Sequence, residues 1–191
     1  MIALEFVSTV RATRSGPVDT LSDVAGMTAW GREHAGELGL DSGFTATEEL
    51  RREVVELRQA VRALFARAVA PGPASAADAH RLPGFADALD LVNAAALAVP
   101  TASRLEWPAD APPVAISVPA GGAGESARVR AALAASAIAL LAGAEREQLR
   151  ACPAPRCVLY FVKEHARQEW CSTGCGNRAR AARHYHQHRA R

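Results

Sequence analysis

At 191 residues the chain is long enough for one ordinary domain and a small appended module. Apolar residues make up 49% and charged residues 22%, which excludes a disordered chain and suits an alanine-rich helical one. The net charge of +2 averages two unlike parts: residues 1–149 carry 13 Arg and 18 acidic residues, net −5, while residues 150–191 carry nine Lys plus Arg and two Glu, net +7. That split predicts an acidic body and a basic module with an anionic partner, with the boundary near Arg150.

The N-terminal residues Met1-Ile2-Ala3-Leu4-Glu5-Phe6 lack the basic stretch and long apolar run of a secretory signal. Thr20-Leu21-Ser22-Asp23 has the form of a capping box with Asp in place of Glu, and Leu21, Val24, Met27 and Trp30 then repeat every three residues. Gly39 and Gly43 bracket a stop. Thr45-Ala46-Thr47-Glu48 opens the clearest helix, in which Leu50, Val54, Leu57, Val61, Leu64 and Ala68 form an apolar seam. Arg51, Arg52, Glu56 and Arg62 are read as lying off that seam, and Pro71-Gly72-Pro73 ends the helix. The seam is the one dimerisation candidate in the sequence, in competition with ordinary intramolecular core.

A short helix is expected in the segment from Ser75 to Leu82, and another carries Phe85, Leu89, Val92, Ala96 and Val99 inward, ending before Pro100. Arg104-Leu105-Glu106-Trp107 and Val114-Ala115-Ile116-Ser117-Val118 predict an edge β-hairpin, since prolines stand between and after them. Gly121-Gly122-Ala123-Gly124 is a turn without the spacing of a dinucleotide loop. A long helix is expected over 125–149, with Val129, Leu133, Ala137, Leu140 and Leu141 inward. The alanine-rich stretch 131–144 is too short to span a bilayer, so a soluble cytoplasmic protein is expected.

The body offers no positive support for enzyme chemistry. His34 and His80 sit apart in the sequence, and Asp87 and Asp90, like Glu48, Glu49, Glu53 and Glu56, read as solvated helix faces. Trp30, Phe44, Phe85 and Trp107 are aromatic residues that could line a pocket, but such residues at helical spacing read first as core.

All four cysteines fall in the last 40 residues, in the pattern Cys152-x4-Cys157-x13-Cys171-x3-Cys175. Zinc takes four soft ligands at tetrahedral corners, and cysteines two to four residues apart supply two corners from one tight turn. Pro153-Ala154-Pro155-Arg156 and Ser172-Thr173-Gly174 are the turn material, and Val158-Leu159-Tyr160-Phe161-Val162 between the pairs suits a strand. Redox or disulfide chemistry is the alternative, although neither spacing is C-x-x-C, and His165 or His184 could replace one cysteine. Four thiolates leave no open position, so one Zn²⁺ would be structural.

After the cysteines, Gly176 to Arg189 reads as a basic helix with Arg180, Arg183, His184, Gln187 and Arg191 on one side. Ala182 and Tyr185 fall on another side, available to pack against the strand. Arg and Gln on a helix can contact phosphates or base edges, so DNA leads, with RNA, an acidic protein partner or a solvated helix as alternatives.

Trp170-Cys171-Ser172-Thr173-Gly174-Cys175-Gly176-Asn177-Arg178 resembles the CGNR zinc finger family, whose name repeats residues 175–178. Leu4-Glu5-Phe6-Val7-Ser8-Thr9-Val10, then Asp19-x-Leu21 and Trp30, is similar to the ABATE domain that commonly precedes this finger, with Ser8 where that family usually has Asn. The resemblance implies a bacterial transcription regulator that binds DNA through the finger. It implies that Asn177 caps the last helix and that Arg178 contacts phosphate or packs over Trp170. The fold expected is mainly α (α+β): a helical domain over 1–149 with a small β-hairpin, then a zinc-ribbon-like module over 150–191 ending in a basic helix. The function expected is zinc-dependent DNA binding, with the body sensing a signal or dimerising. The alternative is a zinc-stabilised protein-interaction module for an acidic partner or for the acidic body itself.

Overall fold

The computed structural model describes residues 1–13, 16–41, 43–78 and 82–189; His80 and Arg191 lie outside them. The centre of the body is α4 (Glu48–Ala68), whose amphipathic sequence buries Leu50, Val54, Leu57, Val61, Leu64 and Phe65. Thr47, not Thr45, is its N-cap: the Thr47 hydroxyl accepts the Leu50 N–H at 3.1 Å, and Glu48 and Glu49 face the positive helix end. Full burial of side chains such as Leu57 is worth about 1.5–3 kcal/mol each. Because the seam is spent on this core, it is not a free dimerisation surface.

Around α4 pack α1 (Ile2–Val7), α5 (Phe85–Leu97) and α6 (Glu125–Ala142). The helix α1 is too short to show a periodicity in sequence; Ile2, Ala3, Phe6 and Val7 are all buried, and the Ala3 N–H donates to Ser136 Oγ on α6. A short hairpin follows, β1 (Val10–Thr13) antiparallel to β2 (Gly16–Asp19). Helix α2 (Val24–Glu33) starts later than the Thr20 capping box predicts, because Asp23 is the cap: its carboxylate accepts the Gly26 N–H at 2.7 Å. The Thr20 carbonyl oxygen passes 2.1 Å from where a Cβ on Gly26 would stand, so glycine is required there. A four-residue helix, α3 (Ala35–Leu38), ends at Gly39 in the left-handed region.

No helix forms over 75–78; those residues make a turn closed by the Asp78 N–H on the Ser75 carbonyl, for a reason given below. In α5 the buried face is Ala88, Val92 and Ala95, while Phe85 and Leu89, expected inside, are exposed. Alanines lie on α5 at the same period as the larger residues, and the small face is the one buried. The predicted hairpin is present as β3 (Thr101–Glu106) antiparallel to β4 (Val114–Pro119); β3 is exposed along its length, and β4 is exposed except at the half-buried Ile116 and Val118. Trp107 beyond it is 70% exposed while Trp30 and Phe44 are core, so the four aromatics do not line one pocket. Helix α6 stops at Gly143, short of Leu149; a 3-10 helix (Ala144–Gln148) then leads into β5 (Leu149–Ala151). The C-terminal module adds β6 (Tyr160–Val162), antiparallel to β5, and α7 (Thr173–Arg189). The architecture is mainly helical with small hairpins, as the sequence predicts. No helix among the described residues is long and apolar enough to cross a membrane.

Candidate metal centre and basic helix

The first cysteine pair lies on the turn between β5 and β6. The Cys152 N–H donates to the Leu159 carbonyl and the Cys157 N–H to the Ala154 carbonyl, both at 2.9 Å, which folds the prolines into a tight knuckle. Arg156 takes the left-handed conformation there, with φ 61°. The second pair lies at the start of α7. Ser172 Oγ accepts the Cys175 N–H at 3.2 Å and the Ser172 carbonyl accepts the Gly176 N–H, so Ser172 does the capping that the sequence assigned to Asn177. Asn177 lies inside the helix, where its side chain accepts from Arg180 Nη2 at 2.5 Å.

The four sulfurs lie within 4.8 Å of one another, with Cys157 and Cys171 Sγ 3.8 Å apart and Cys171 and Cys175 Sγ 3.5 Å apart. A tetrahedral ion with Zn–S of about 2.3 Å requires S···S of about 3.8 Å. The thiols also compete for ionisation. Hydrogen bonds from Cys157 and then Cys171 bring Cys152 down to about 2, while the Cys152 contact pushes Cys157 up to about 11 and drives Cys171 strongly upward. One thiolate forms at its neighbours' expense; a cation in their midst is what lets all four ionise. These donors, spacings and charges fit one zinc ion.

Arg178 turns back toward this cluster rather than to solvent. Its Nη2 donates to Cys175 Sγ at 2.9 Å, and that hydrogen bond raises its own pKa. It is Arg180 and Arg183, not Arg178, that lie over Trp170, with guanidinium carbons 5.8 and 5.9 Å from the ring centroid. Gly176 is buried beneath the same ring: a Cβ there would stand 3.1 Å from Trp170 Cε3. Beyond this anchor α7 runs through solvent. Arg180, Arg183, His184 and Gln187 are exposed, and so is Tyr185, which the sequence placed against the strand. Among the described residues, neither Arg180 nor Arg183 forms an ion pair with the acidic body.

Two families of sequence match the chain. Residues 1–144 match a family model named ABATE, whose description reads "putative stress-induced transcription regulator", and residues 148–188 match the CGNR zinc finger. The chain belongs to the ABATE family. No curated protein matches it. A four-cysteine cluster that could bind one zinc ion thus sits within the CGNR finger of an ABATE protein.

How that finger is seated is not evident from the sequence. Arg62 of α4, taken as a surface charge, is 1% exposed: Nε donates to Asp78 Oδ1 at 2.7 Å and Nη1 to the Val7 carbonyl at 2.7 Å. Its Nη2 donates at 3.0 Å to both Ser75 Oγ and the Val158 carbonyl of the finger. Tyr160 OH donates to Asp78 Oδ2 at 2.6 Å, with the Tyr160 ring edge-on to Phe65. Burial, then the Asp78 hydrogen bond, pushes the Tyr160 phenol up, so it stays protonated as the donor. The turn over 75–78 exists to present Ser75 and Asp78 to this network. Leu149 and Tyr160 accordingly belong to the core of the ABATE body. The signal in the sequence was the four-residue step Val54, Arg58, Arg62, which puts two arginines on a buried stripe.

Proposed function

We propose that this ABATE protein is a zinc-dependent, DNA-binding transcription regulator, with one structural zinc ion held by Cys152, Cys157, Cys171 and Cys175. The observation that carries the reading is the geometry of α7: fixed at its N-terminal turn by two of the cysteines and Trp170, and exposed along Arg180, Arg183, His184 and Gln187. Four thiolates fill the coordination of zinc, so the ion's part is to hold the helix and not to perform chemistry. Arg180 and Arg183 are the phosphate contacts in this reading, stacked on Trp170 so that little side-chain freedom is lost on binding. His184 and Gln187 lie further along the same helix, Arg191 follows them in the sequence, and Arg178 supports the arrangement from the metal side. RNA shares the phosphate chemistry and serves as the competitor in the test. Docking of α7 on the acidic body is the weaker reading, because among the described residues neither Arg180 nor Arg183 pairs with a carboxylate of the body.

The test uses the full zinc-loaded chain, first to select genomic fragments against a chelated control, then to titrate the enriched duplex at several salt concentrations. Phosphate contact predicts that log affinity falls linearly with log salt, by about 0.9 per phosphate neutralised. Changing Arg180 and Arg183 together to Ala should weaken binding on all sequences and cut that slope by about 1–2, with zinc retained. A flat salt dependence, or unaltered binding by the double variant, would remove the assignment.

A further inference from the structure

With the α4 seam inside the core, the surface that stands out is the β3–β4 hairpin. It pairs six residues in each strand, and β3 is exposed throughout. The strands of the other two hairpins are shorter, at four and three residues. Two strands alone are marginally stable in water and gain from a third strand or a packed face.

The register decides which edge is open. The Ala120 N–H donates to the Pro100 carbonyl at 2.7 Å, and the pairs then run from Thr101 opposite Pro119 to Glu106 opposite Val114. Antiparallel pairs alternate between bonded and non-bonded. Ala102, Arg104 and Glu106 therefore bond to β4, while Thr101, Ser103 and Leu105 turn their N–H and C=O groups outward. Among the described residues, no backbone group outside the hairpin takes up that outer edge. The outer edge of β4 is blunted, because Pro119 falls at an outward position and has no N–H. No proline lies within β3, so its edge is the one left able to pair.

We propose that the outer edge of β3 pairs antiparallel with β3 of a second copy of this chain, joining two hairpins into one four-stranded sheet about a two-fold axis at Leu105. Charge selects both the partner and the register. Arg104 and Glu106 share one face of β3, both exposed, with Arg104 Nη2 2.6 Å from Glu106 Oε1. When Leu105 stands opposite its own copy, each Arg104 stands opposite Glu106 of the partner subunit, in the closer, non-bonded class of pair. The four charges then alternate in sign. An axis moved to Arg104 would set arginine against arginine instead. The same register brings together the two Leu105 side chains, each 65% exposed in the single chain. Such a contact is self-complementary, so it closes at two copies and leaves no edge of β3 for a third. The inference does not rest on DNA binding.

Sedimentation velocity of the full zinc-loaded chain without DNA tests it. A concentration-dependent rise from 20.1 kDa to twice that mass is expected. Leu105→Pro removes an outward N–H and no bond to β4, so it should weaken association at least tenfold with the circular dichroism unaltered. Arg104→Glu and Glu106→Arg each set like charges against one another, and each alone should weaken association at least tenfold. Mixed in equal amounts, with one of them fluorescently labelled, the two variants are complementary and should associate as a heterodimer. A hairpin merely damaged by substitution would not recover in this way. A chain that stays monomeric up to its solubility limit would overturn the proposal. So would a dimer that Leu105→Pro leaves at wild-type affinity, or a mixture that associates no better than either variant alone.

Discussion

Arg62, itself buried, donates across 3.0 Å to the backbone carbonyl of the half-buried Val158, a residue 96 positions later in the chain. Ser75 Oγ donates to the same carbonyl at 2.8 Å, and Asp78 binds both Arg62 and Tyr160. One cation on the central helix of the body therefore fixes the strand that follows the first cysteine knuckle. The finger is seated by a neutralised, fully hydrogen-bonded network, not by a flexible linker.

Removing Arg62 leaves the buried Asp78 without its cation. Arg62→Met is expected to cost about 3–5 kcal/mol, the range for breaking one side of a buried ion pair. Arg62→Lys keeps the charge but cannot serve Asp78, Val7, Ser75 and Val158 together, so it should fall between. Urea unfolding of the three proteins measures this, and a loss under about 1 kcal/mol for Arg62→Met would mean that the network relaxes around the gap.

A second buried arginine predicts an acid-side effect. Burial raises the pKa of Asp19, but the paired hydrogen bonds from Arg58, both 2.6 Å, and the charges of Arg58 and Arg51 outweigh it, and the net shift is downward. With the folded pKa below the unfolded value of about 3.9, the contribution is full above that pH and is lost as pH falls through the folded value. Asp19→Asn should therefore destabilise the protein at pH 7 and flatten the loss of stability below about pH 4. Urea midpoints between pH 2 and pH 7 test this; parallel acid limbs for the two proteins would contradict it.

Much of this arrangement is legible in the residues, for identifiable reasons. Metal chemistry restricts cysteine spacing, and so the cluster of Cys152, Cys157, Cys171 and Cys175 can be read without a structure. The seam of α4 is equally plain, since Leu50 to Leu64 repeat at helical spacing. Arg58 and Arg62 are not, because a charge is read as surface until its partner is known, and Asp19 and Asp78 lie in other elements. The start of α7 is hidden for a local reason: Cys175 and Gly176 look like a junction after a ligand turn, yet the Ser172 cap already begins the helix before them. Arg178 follows from that shift in register, which brings it back one turn onto Cys175.

The Arg178 contact gives the next prediction. A charged donor on a ligating sulfur stabilises its thiolate, and outer-shell partners of this kind typically change metal affinity by 10–100-fold. Arg178→Gln should lower zinc affinity by about tenfold, while Arg180→Gln, one of the arginines over Trp170, should leave it unaltered. Competition against a chromophoric chelator reads both. Equal affinities for the two variants would show that the Arg178–Cys175 contact is idle.

Zinc removal should separate the two ends of the finger. Its own buried cluster consists of Cys152, Ala154, Cys157, Phe161 and Cys175, with Leu159, Trp170 and Cys171 at the edge, too little apolar surface to hold α7 without the ion. Tyr160 and Leu149, in contrast, belong to the core of the body, and Asp78 and Ser75 hold Tyr160 there irrespective of the metal. Chelation is therefore expected to melt α7 and release Trp170 while the β5–β6 pair and α4 keep their protection, and Cys171→Ser should reproduce this. Amide hydrogen exchange resolves the segments: fast exchange over 173–189 with slow exchange retained over 48–68 is the expected pattern. Retained protection in α7 would mean that the metal does not hold the helix, and loss of protection in α4 would mean that finger and body unfold as one unit.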